Sequence, residues 1–183
     1  MKYNILGHTG LKVSQVCLGT MTWGKQNTEH DAFSQLDHSF DAGINFIDTA
    51  EMYPVPNEKE HVGKTEEIIG KWFSKNNLRE KIILATKVSG PGGLAVPREG
   101  KASLDESNIK LAIDASLKRL KTDYIDLYQV HWPSRPSNYF GTLGYSENRE
   151  DVSIPIEETL FALNNLIIEG KIRSIGVSNE TSW

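Results

Sequence analysis

The chain has little cysteine, no long apolar run and no excess of positive charge. Cys17 is the single cysteine, so no disulfide can form within the chain, and its apolar neighbours predict a small core side chain. No apolar stretch approaches the roughly 20 residues of a bilayer-spanning helix, and no signal-peptide core is present, so we expect a cytoplasmic protein with no membrane partner. With 20 basic and 24 acidic residues, the net charge of −4 argues against nucleic acid as a partner.

The composition that is present is that of an ordinary globular protein. A chain of 183 residues, with 38% hydrophobic and 24% charged content, can bury one sizeable core. We therefore predict a single domain over residues 1–183. No group of cysteine and histidine residues suggests a metal site, and we expect none.

Strand-like apolar runs alternate with helix-like spacing along the chain, which is typical of βα repeats. We predict an N-terminal hairpin over residues 2–15, then five strands near residues 16–20, 45–49, 81–87, 124–131 and 172–178. Four helices separate these strands. Capping pairs open the first and third helices, Thr28 with Asp31 and Ser103 with Glu106. The fourth helix begins near Pro155, which suits a first-turn position, and its apolar repeat is Ile156, Leu160, Leu163 and Ile167.

Two architectures fit five strands and four helices in alternation. An open doubly wound sheet would carry a Gly-x-Gly-x-x-Gly turn after its first strand, and Leu18-Gly-Thr-Met-Thr-Trp-Gly24 lacks that spacing. We therefore favour an α/β fold of the (β/α)8 TIM-barrel type. Such a barrel takes about 250 residues, so we expect only its N-terminal part here, with strands six to eight absent. The open barrel edge makes self-association an expected option.

Four reactive side chains follow the ends of predicted strands: Asp48, Tyr53, Lys87 and His131. Parallel barrels bring the carboxyl ends of their strands to one pocket, and the two long connections, at 88–103 and 132–153, would decorate the same face. An acid, a phenol, an amine and an imidazole gathered there are suited to proton transfer. Taken singly, each is more often a surface or structural residue, so their joint placement carries the hypothesis.

The motifs around these residues resemble those of the aldo-keto reductases. They are Leu18-Gly-Thr-Met21, Gly43-Ile-Asn-Phe-Ile-Asp-Thr-Ala-Glu-Met-Tyr53, Ala85-Thr-Lys87, Thr122-Asp-Tyr-Ile-Asp-Leu-Tyr-Gln-Val-His-Trp-Pro133 and Gly170-Lys-Ile-Arg-Ser-Ile-Gly-Val-Ser-Asn179. Within that family the chain is similar to the bacterial Tas-type branch and to the potassium-channel β-subunit branch. The resemblance implies an NADP(H)-dependent oxidoreductase that reduces aldehydes or ketones, small-molecule carbonyl substrates, to alcohols.

The resemblance also implies a role for each reactive residue. Tyr53 would donate the proton; a phenol with a pKa near ~10 is a poor donor at neutral pH unless a nearby cation favours the phenolate, and Lys87 matches that cation. Asp48 would pair with Lys87, and His131 would hydrogen-bond the carbonyl oxygen. The nicotinamide would be lined by Thr20, Met21, Gln26, Asp48, Ser178 and Asn179, and the substrate pocket by Trp23 and Trp132.

Two alternatives to a working reductase remain open. The first is a cofactor-sensing regulatory or binding subunit with little turnover, as the channel-subunit resemblance allows. The second is an inactive truncated half-barrel. The preference for NADP over NAD comes from the resemblance alone.

Overall fold

The computed structural model describes residues 1–92, 97–137, 144 and 153–181. Within these residues, seven strands and four α-helices follow one another as β1 (Tyr3–Ile5), β2 (Lys12–Ser14), β3 (Cys17–Gly19), α1 (Glu29–Asp41), β4 (Phe46–Asp48), α2 (Lys64–Asn76), β5 (Ile83–Val88), α3 (Glu106–Leu120), β6 (Ile125–Val130), α4 (Ile156–Ile168) and β7 (Ile172–Val177). Short 3-10 helices cover Arg79–Lys81 and Pro97–Gly100. None of the four described α-helices has the length and apolar character needed to cross a membrane.

The strands form two sheets. β1 and β2 pair antiparallel as the predicted N-terminal hairpin, and the other five form a parallel sheet in the order β3-β4-β5-β6-β7. Each strand of the larger sheet pairs with the next one along the chain, with one helix between them. A doubly wound sheet would reverse its strand order at a switch point, and this sheet does not. The arrangement fits the first part of a (β/α)8 barrel.

The main core lies between the helices and the outer face of the parallel sheet. Its largest fully buried side chains include Trp72 of α2, Leu84 of β5, Ile113 of α3 and Tyr128 of β6. Continuous apolar strands of this kind are expected where helices cover a parallel sheet. The core therefore holds the strands rigidly, which fixes the positions of the residues at their carboxyl ends.

The helix starts are set by local hydrogen bonds. The predicted capping box of α1 is confirmed, because Thr28 Oγ1 accepts from the Asp31 backbone N–H at 3.2 Å and Asp31 accepts from the Thr28 backbone N–H at 2.9 Å. The prediction for α3 is wrong by two residues. Asp105, rather than Ser103, is the N-cap, since its carboxylate accepts from the backbone N–H of Asn108 at 3.0 Å.

The predicted apolar face of α4 is confirmed at Leu163 and wrong at its other three positions. Ile156, Leu160 and Ile167 are exposed, whereas the residues that face the core are Thr159, Ala162, Leu163 and Leu166. Apolar residues surround this helix on nearly every side, so the apolar spacing alone does not select the face that packs. Pro155 is the N-cap rather than a first-turn residue.

Cys17 likewise departs from the expectation of a core side chain. It is exposed on β3, which pairs only with β4 in the part of the chain that the structure describes. Its apolar neighbours in sequence predict burial, but a residue on a strand at the edge of the sheet has fewer neighbours to cover it. Portions of the two long connections, residues 93–96, 138–143 and 145–152, lie outside the described residues.

Candidate active site

Strand pairing brings Asp48 and Lys87 together. β4 and β5 run parallel with Asp48 opposite Ala85, so the end of β4 lies two residues before Lys87 on the neighbouring strand. The Lys87 Nζ donates to Asp48 Oδ1 at 2.5 Å and to the backbone carbonyl of Thr49 at 2.8 Å. Both bonds lie at the carboxyl end of the sheet, where the sequence predicted a pocket.

Tyr53 and His131 complete the group. The Lys87 Nζ lies 5.0 Å from the centroid of the Tyr53 ring, and the rings of Tyr53 and His131 meet edge to face with centroids 5.7 Å apart. Tyr53, Lys87 and His131 are all buried. The structure therefore brings together all four side chains, which come from the ends of three successive strands.

The pKa of Tyr53 is raised to about 12, chiefly by burial and then by the negative charge of Asp48. This is opposite to the direction that we expected from Lys87. The physical reason is that burial removes the water that would stabilise a phenolate and the Asp48 carboxylate repels its charge, and these two effects outweigh the nearby Lys87 cation. The phenol consequently stays protonated across the neutral pH range.

The pKa of His131 is lowered to about 3, first by burial and then by the Lys87 cation. Both causes disfavour the imidazolium. His131 is therefore a neutral imidazole at neutral pH. In that form one ring nitrogen carries a hydrogen and can donate to a ligand oxygen.

Three of the predicted cofactor residues adjoin this group directly. Thr20 donates its hydroxyl to the backbone carbonyl of Asp48 at 2.9 Å. Asn179 donates its amide to the backbone carbonyl of His131 at 2.9 Å and to Ser178 Oγ at 3.0 Å. These side chains thus lie at both margins of the four-residue group.

Met21 and Gln26 are tied to the segment that follows Tyr53. The Val55 backbone N–H donates to the Met21 carbonyl at 2.8 Å, and the Gln26 amide donates to the Val55 carbonyl at 3.0 Å. The Met21 side chain is exposed. The turn after β3 is thereby held beside the turn that carries Tyr53.

The two tryptophans predicted to line a substrate pocket do not face open space. Trp132 lies next to His131 and is 0% exposed, with its indole N–H donating to the Pro91 carbonyl at 2.8 Å. Trp23 is 1% exposed in the main core, where its indole N–H donates to Gln35 at 2.9 Å. Trp132 therefore packs against His131 as a buried neighbour of the site, and Trp23 belongs to the main core.

Sequence reasoning did not identify Gln129 as part of the site. Its amide donates to Asp48 Oδ2 at 3.1 Å, on the oxygen that Lys87 does not take. One signal was available, because Gln129 lies two residues before His131 and alternate residues of a strand share a face. A polar side chain that shares a strand face with His131 is such a signal.

Sequence reasoning also missed Glu51, which is buried. Its carboxylate accepts from the backbone N–H of Ser89 at 2.7 Å and from both terminal nitrogens of Arg98 at 2.6 and 2.9 Å. Arg98 in turn donates to Asn108 near the start of α3 at 3.2 Å. This ion pair attaches the β5–α3 connection to the turn between Asp48 and Tyr53.

One group of possible metal ligands lies on the surface, among the described residues. A ligand atom from each of Glu58, Glu60 and His61 lies within 4.8 Å of the others. Lys25 contacts Glu58 at 2.6 Å, and His61 contacts it at 3.2 Å. Because ion pairing already accounts for Glu58, we assign no metal to this group.

Comparisons with a family model, with curated proteins and with solved structures all give matches to the same kind of protein. A family model described as "Aldo/keto reductase family" matches residues 15–183. The chain is 50% identical to Protein tas of Escherichia coli (strain K12) over 100% of this chain and 53% of that protein, and 38% identical to the uncharacterized oxidoreductase YrpG of Bacillus subtilis (strain 168) over 100% of this chain and 51% of that protein. It thus spans about half the length of these curated relatives. The solved structure of the aldo-keto reductase AKR11C1 from Bacillus halodurans, in its holo form, matches with a TM-score of 0.72 and 34% identity, over 98% of this chain and 50% of that one.

Proposed function

Because the chain belongs to the aldo/keto reductase family, we propose that its site reduces aldehydes or ketones to alcohols, with NADP(H) as the cofactor and Tyr53 as the proton donor. The observation that supports this proposal is the meeting of Tyr53, Lys87, Asp48 and His131 at one end of the sheet. Together these four groups can donate a proton to a carbonyl oxygen and stabilise the negative charge that develops on it.

The polar groups beside Asp48 and His131 fit a nicotinamide ring. Its carboxamide both donates and accepts hydrogen bonds, and Ser178 and Asn179 offer a hydroxyl and an amide that do the same. We assign them to the carboxamide. The remaining contacts are assigned to Thr20, Met21, Gln26 and Asp48. When bound, NADPH would supply the hydride, which no side chain can provide.

In this proposal the chain's own residues manage the proton. As negative charge develops on the substrate oxygen, Tyr53 donates its hydroxyl proton to that oxygen. Its pKa of about 12 keeps the proton on the phenol until the charge appears. The Lys87 ammonium stabilises the phenolate that remains, and Asp48 holds Lys87 in place. The neutral His131 ring donates a second hydrogen bond to the same oxygen.

The test removes one hydroxyl group. Tyr53→Phe should lower the rate of NADPH oxidation with a generic aldehyde or quinone by about 10²–10⁴-fold, the usual contribution of a positioned acid. Tyr124→Phe is the matched control, because the Tyr124 ring packs against Arg79 outside the site, and it should retain the wild-type rate. Normal turnover by Tyr53→Phe would remove Tyr53 as the proton donor.

A second candidate is cofactor binding with little turnover, as in a regulatory subunit. One observation favours the association that such a subunit requires. In the part of the chain that the structure describes, β3 and β7 each pair with one neighbour only, and open strand edges can pair with a partner chain. Calorimetric titration with NADPH separates the cases. Binding without turnover supports this second candidate, and absence of binding supports an inactive half-barrel.

The same two strand edges support a proposal of self-association. Unpaired edge strands offer backbone donors and acceptors to another chain. Val177 at the end of β7 is also exposed. Sedimentation velocity over a range of protein concentrations tests this, and a concentration-independent monomer would contradict it.

A further inference from the structure

We infer that Gln129 is a positioning residue for the site, and that Gly176 on the neighbouring strand preserves the space that Gln129 occupies. This inference rests on the proposed function for its consequence, but its geometry is independent of any cofactor. Neither residue is assigned a contact with substrate. Both act through Asp48 and Lys87.

The first step concerns the Asp48 carboxylate, whose two oxygens have partners from two different strands. The Lys87 ammonium of β5 donates to Oδ1 at 2.5 Å, and the Gln129 amide of β6 donates to Oδ2 at 3.1 Å. A carboxylate held at both oxygens cannot rotate without losing one of the two bonds. The Gln129 amide therefore fixes the direction in which Asp48 presents Oδ1 to Lys87.

The second step is the position of Gln129 in the sheet. Lys87 pairs with Gln129 across β5 and β6, and Gln129 pairs with Gly176 across β6 and β7. Paired residues in adjacent strands direct their side chains to the same face. The Gln129 side chain thus lies between the lysine on one side and a position without a side chain on the other.

The third step is the reason for glycine at position 176. A Cβ placed there would lie 3.0 Å from Gln129 Cγ and 3.3 Å from Leu127 Cδ1. The backbone of Gly176 is not in the left-handed region, so conformation does not require glycine. Space favours glycine, because a Cβ at position 176 would make Gln129 shift by a few tenths of an ångström and so move its amide relative to Asp48.

The consequence reaches the proton donor. The Lys87 Nζ is 5.0 Å from the Tyr53 ring centroid, and its position depends on how Asp48 is oriented. β7 carries none of the four reactive residues, yet it influences them through Gly176 and Gln129. The proposed reaction would therefore be sensitive to a methyl group two strands away from Lys87.

The test measures how fast the protons of the Lys87 ammonium exchange with solvent in the 183-residue chain. Hydrogen exchange of the Lys87 Nζ protons, followed by nitrogen-15 NMR, reports how firmly this group is bonded. Gln129→Leu removes the amide at similar size and should speed exchange by about fivefold, the equivalent of one ordinary hydrogen bond. Gln129→Met, which is unbranched, is the second variant should the leucine fail to fold.

Two control variants isolate the effect. Gln35→Leu makes the same substitution where the amide bonds Trp23, and it should leave Lys87 exchange unchanged. Gly19→Ala adds a methyl on β3 with no atom within 4 Å, and it is the control for Gly176→Ala. Gly176→Ala should speed Lys87 exchange alone but add nothing to a chain that already carries Gln129→Leu.

Activity provides a separate readout. If the chain oxidises NADPH, Gln129→Leu should lower kcat by about tenfold to a hundredfold with KM unchanged, because a misplaced group acts on the transition state. A wild-type chain without turnover would overturn the proposed function, while the exchange result would still decide the role of Gln129. Unchanged Lys87 exchange in a folded Gln129→Leu or Gln129→Met variant overturns the inference. Additive effects in the double variant overturn the part assigned to Gly176.

Discussion

Two carboxylates sit near opposite ends of the parallel sheet, and they differ in how completely they are enclosed. Near the amino end, Asp126 is 0% exposed and accepts from Arg79 at 2.8 Å, Arg173 at 2.8 Å and the Leu84 backbone N–H at 3.0 Å. At the carboxyl end, the Asp48 side chain is 30% exposed. The first carboxylate is closed off from solvent by its partners, whereas the second is partly open to solvent.

The cations of the two groups differ in what holds them rather than in exposure, because the Lys87 side chain is 7% exposed and the Arg79 and Arg173 side chains are 13% and 52% exposed. Arg79 and Arg173 both stack on the ring of Tyr124, at 4.0 and 4.1 Å, so their guanidinium groups are held by packing as well as by charge. Lys87 instead lies beside Tyr53, whose proton is retained to a pKa of about 12. In barrels of this type the amino end serves stability and the carboxyl end serves chemistry, and the proposed function assigns the two groups to these roles.

Removing the cation at the carboxyl end should have the strongest effect on activity. Lys87→Met keeps the length of the side chain but removes the charge that would stabilise a Tyr53 phenolate. We expect the rate of NADPH oxidation to fall by about 10²–10⁴-fold. The free energy of unfolding should fall by less than the barrier to the reaction rises. Steady-state kinetics and urea unfolding measure the two effects, and a variant with normal kcat would place Lys87 outside the chemistry.

The reverse change is made at the amino end. Asp126→Asn leaves two arginines without their buried counter-charge and should lower the free energy of unfolding by about 3 kcal/mol. Asp114→Asn is the control, since Asp114 forms an exposed pair with Lys171 at 2.9 Å and should cost less than about 1 kcal/mol. Equal urea midpoints for the two variants would contradict the structural role of Asp126.

The pH dependence of stability offers a further test of the carboxyl end. The pKa of His131 is about 3 in the folded chain, against an ordinary value of 6.5. Between these values the unfolded chain binds a proton that the folded imidazole does not, so stability falls as the pH falls from about 6.5 to about 3. The slope is up to about 1.4 kcal/mol per pH unit.

His131→Phe removes this group and should flatten that part of the pH dependence. The measurement is a set of urea unfolding curves between pH 4 and pH 7 for the variant and the wild type. The carboxylates titrate in both proteins, so the difference between the two curves isolates His131. Parallel curves would show that His131 is not protected from protonation.

The elements that could be predicted from sequence are those set by local pattern. The βα alternation, the Thr28 cap and the strand-end positions of Asp48, Lys87 and His131 all follow from spacing within short segments. Parallel strands then bring their ends to one edge as a matter of topology. The meeting of the four reactive groups could therefore be expected without coordinates.

The features that could not be predicted depend on tertiary packing. The buried face of α4 was ambiguous because the helix is apolar on nearly every side. The contact between Gln129 and Asp48 joins residues 81 positions apart, and nothing local to either residue specifies it. The raised pKa of Tyr53 depends first on burial and then on the charge of Asp48, and burial follows from the packing of the chain rather than from a motif.

The pairing of the strands has a consequence for how tightly the site is specified. Asp48, Lys87 and Gln129 lie on three consecutive strands joined by continuous backbone hydrogen bonds. A slip of one residue in either pairing would move a side chain by about 3.3 Å and turn it to the opposite face of the sheet. Only one register of the three strands therefore places these side chains together, and no intermediate register exists.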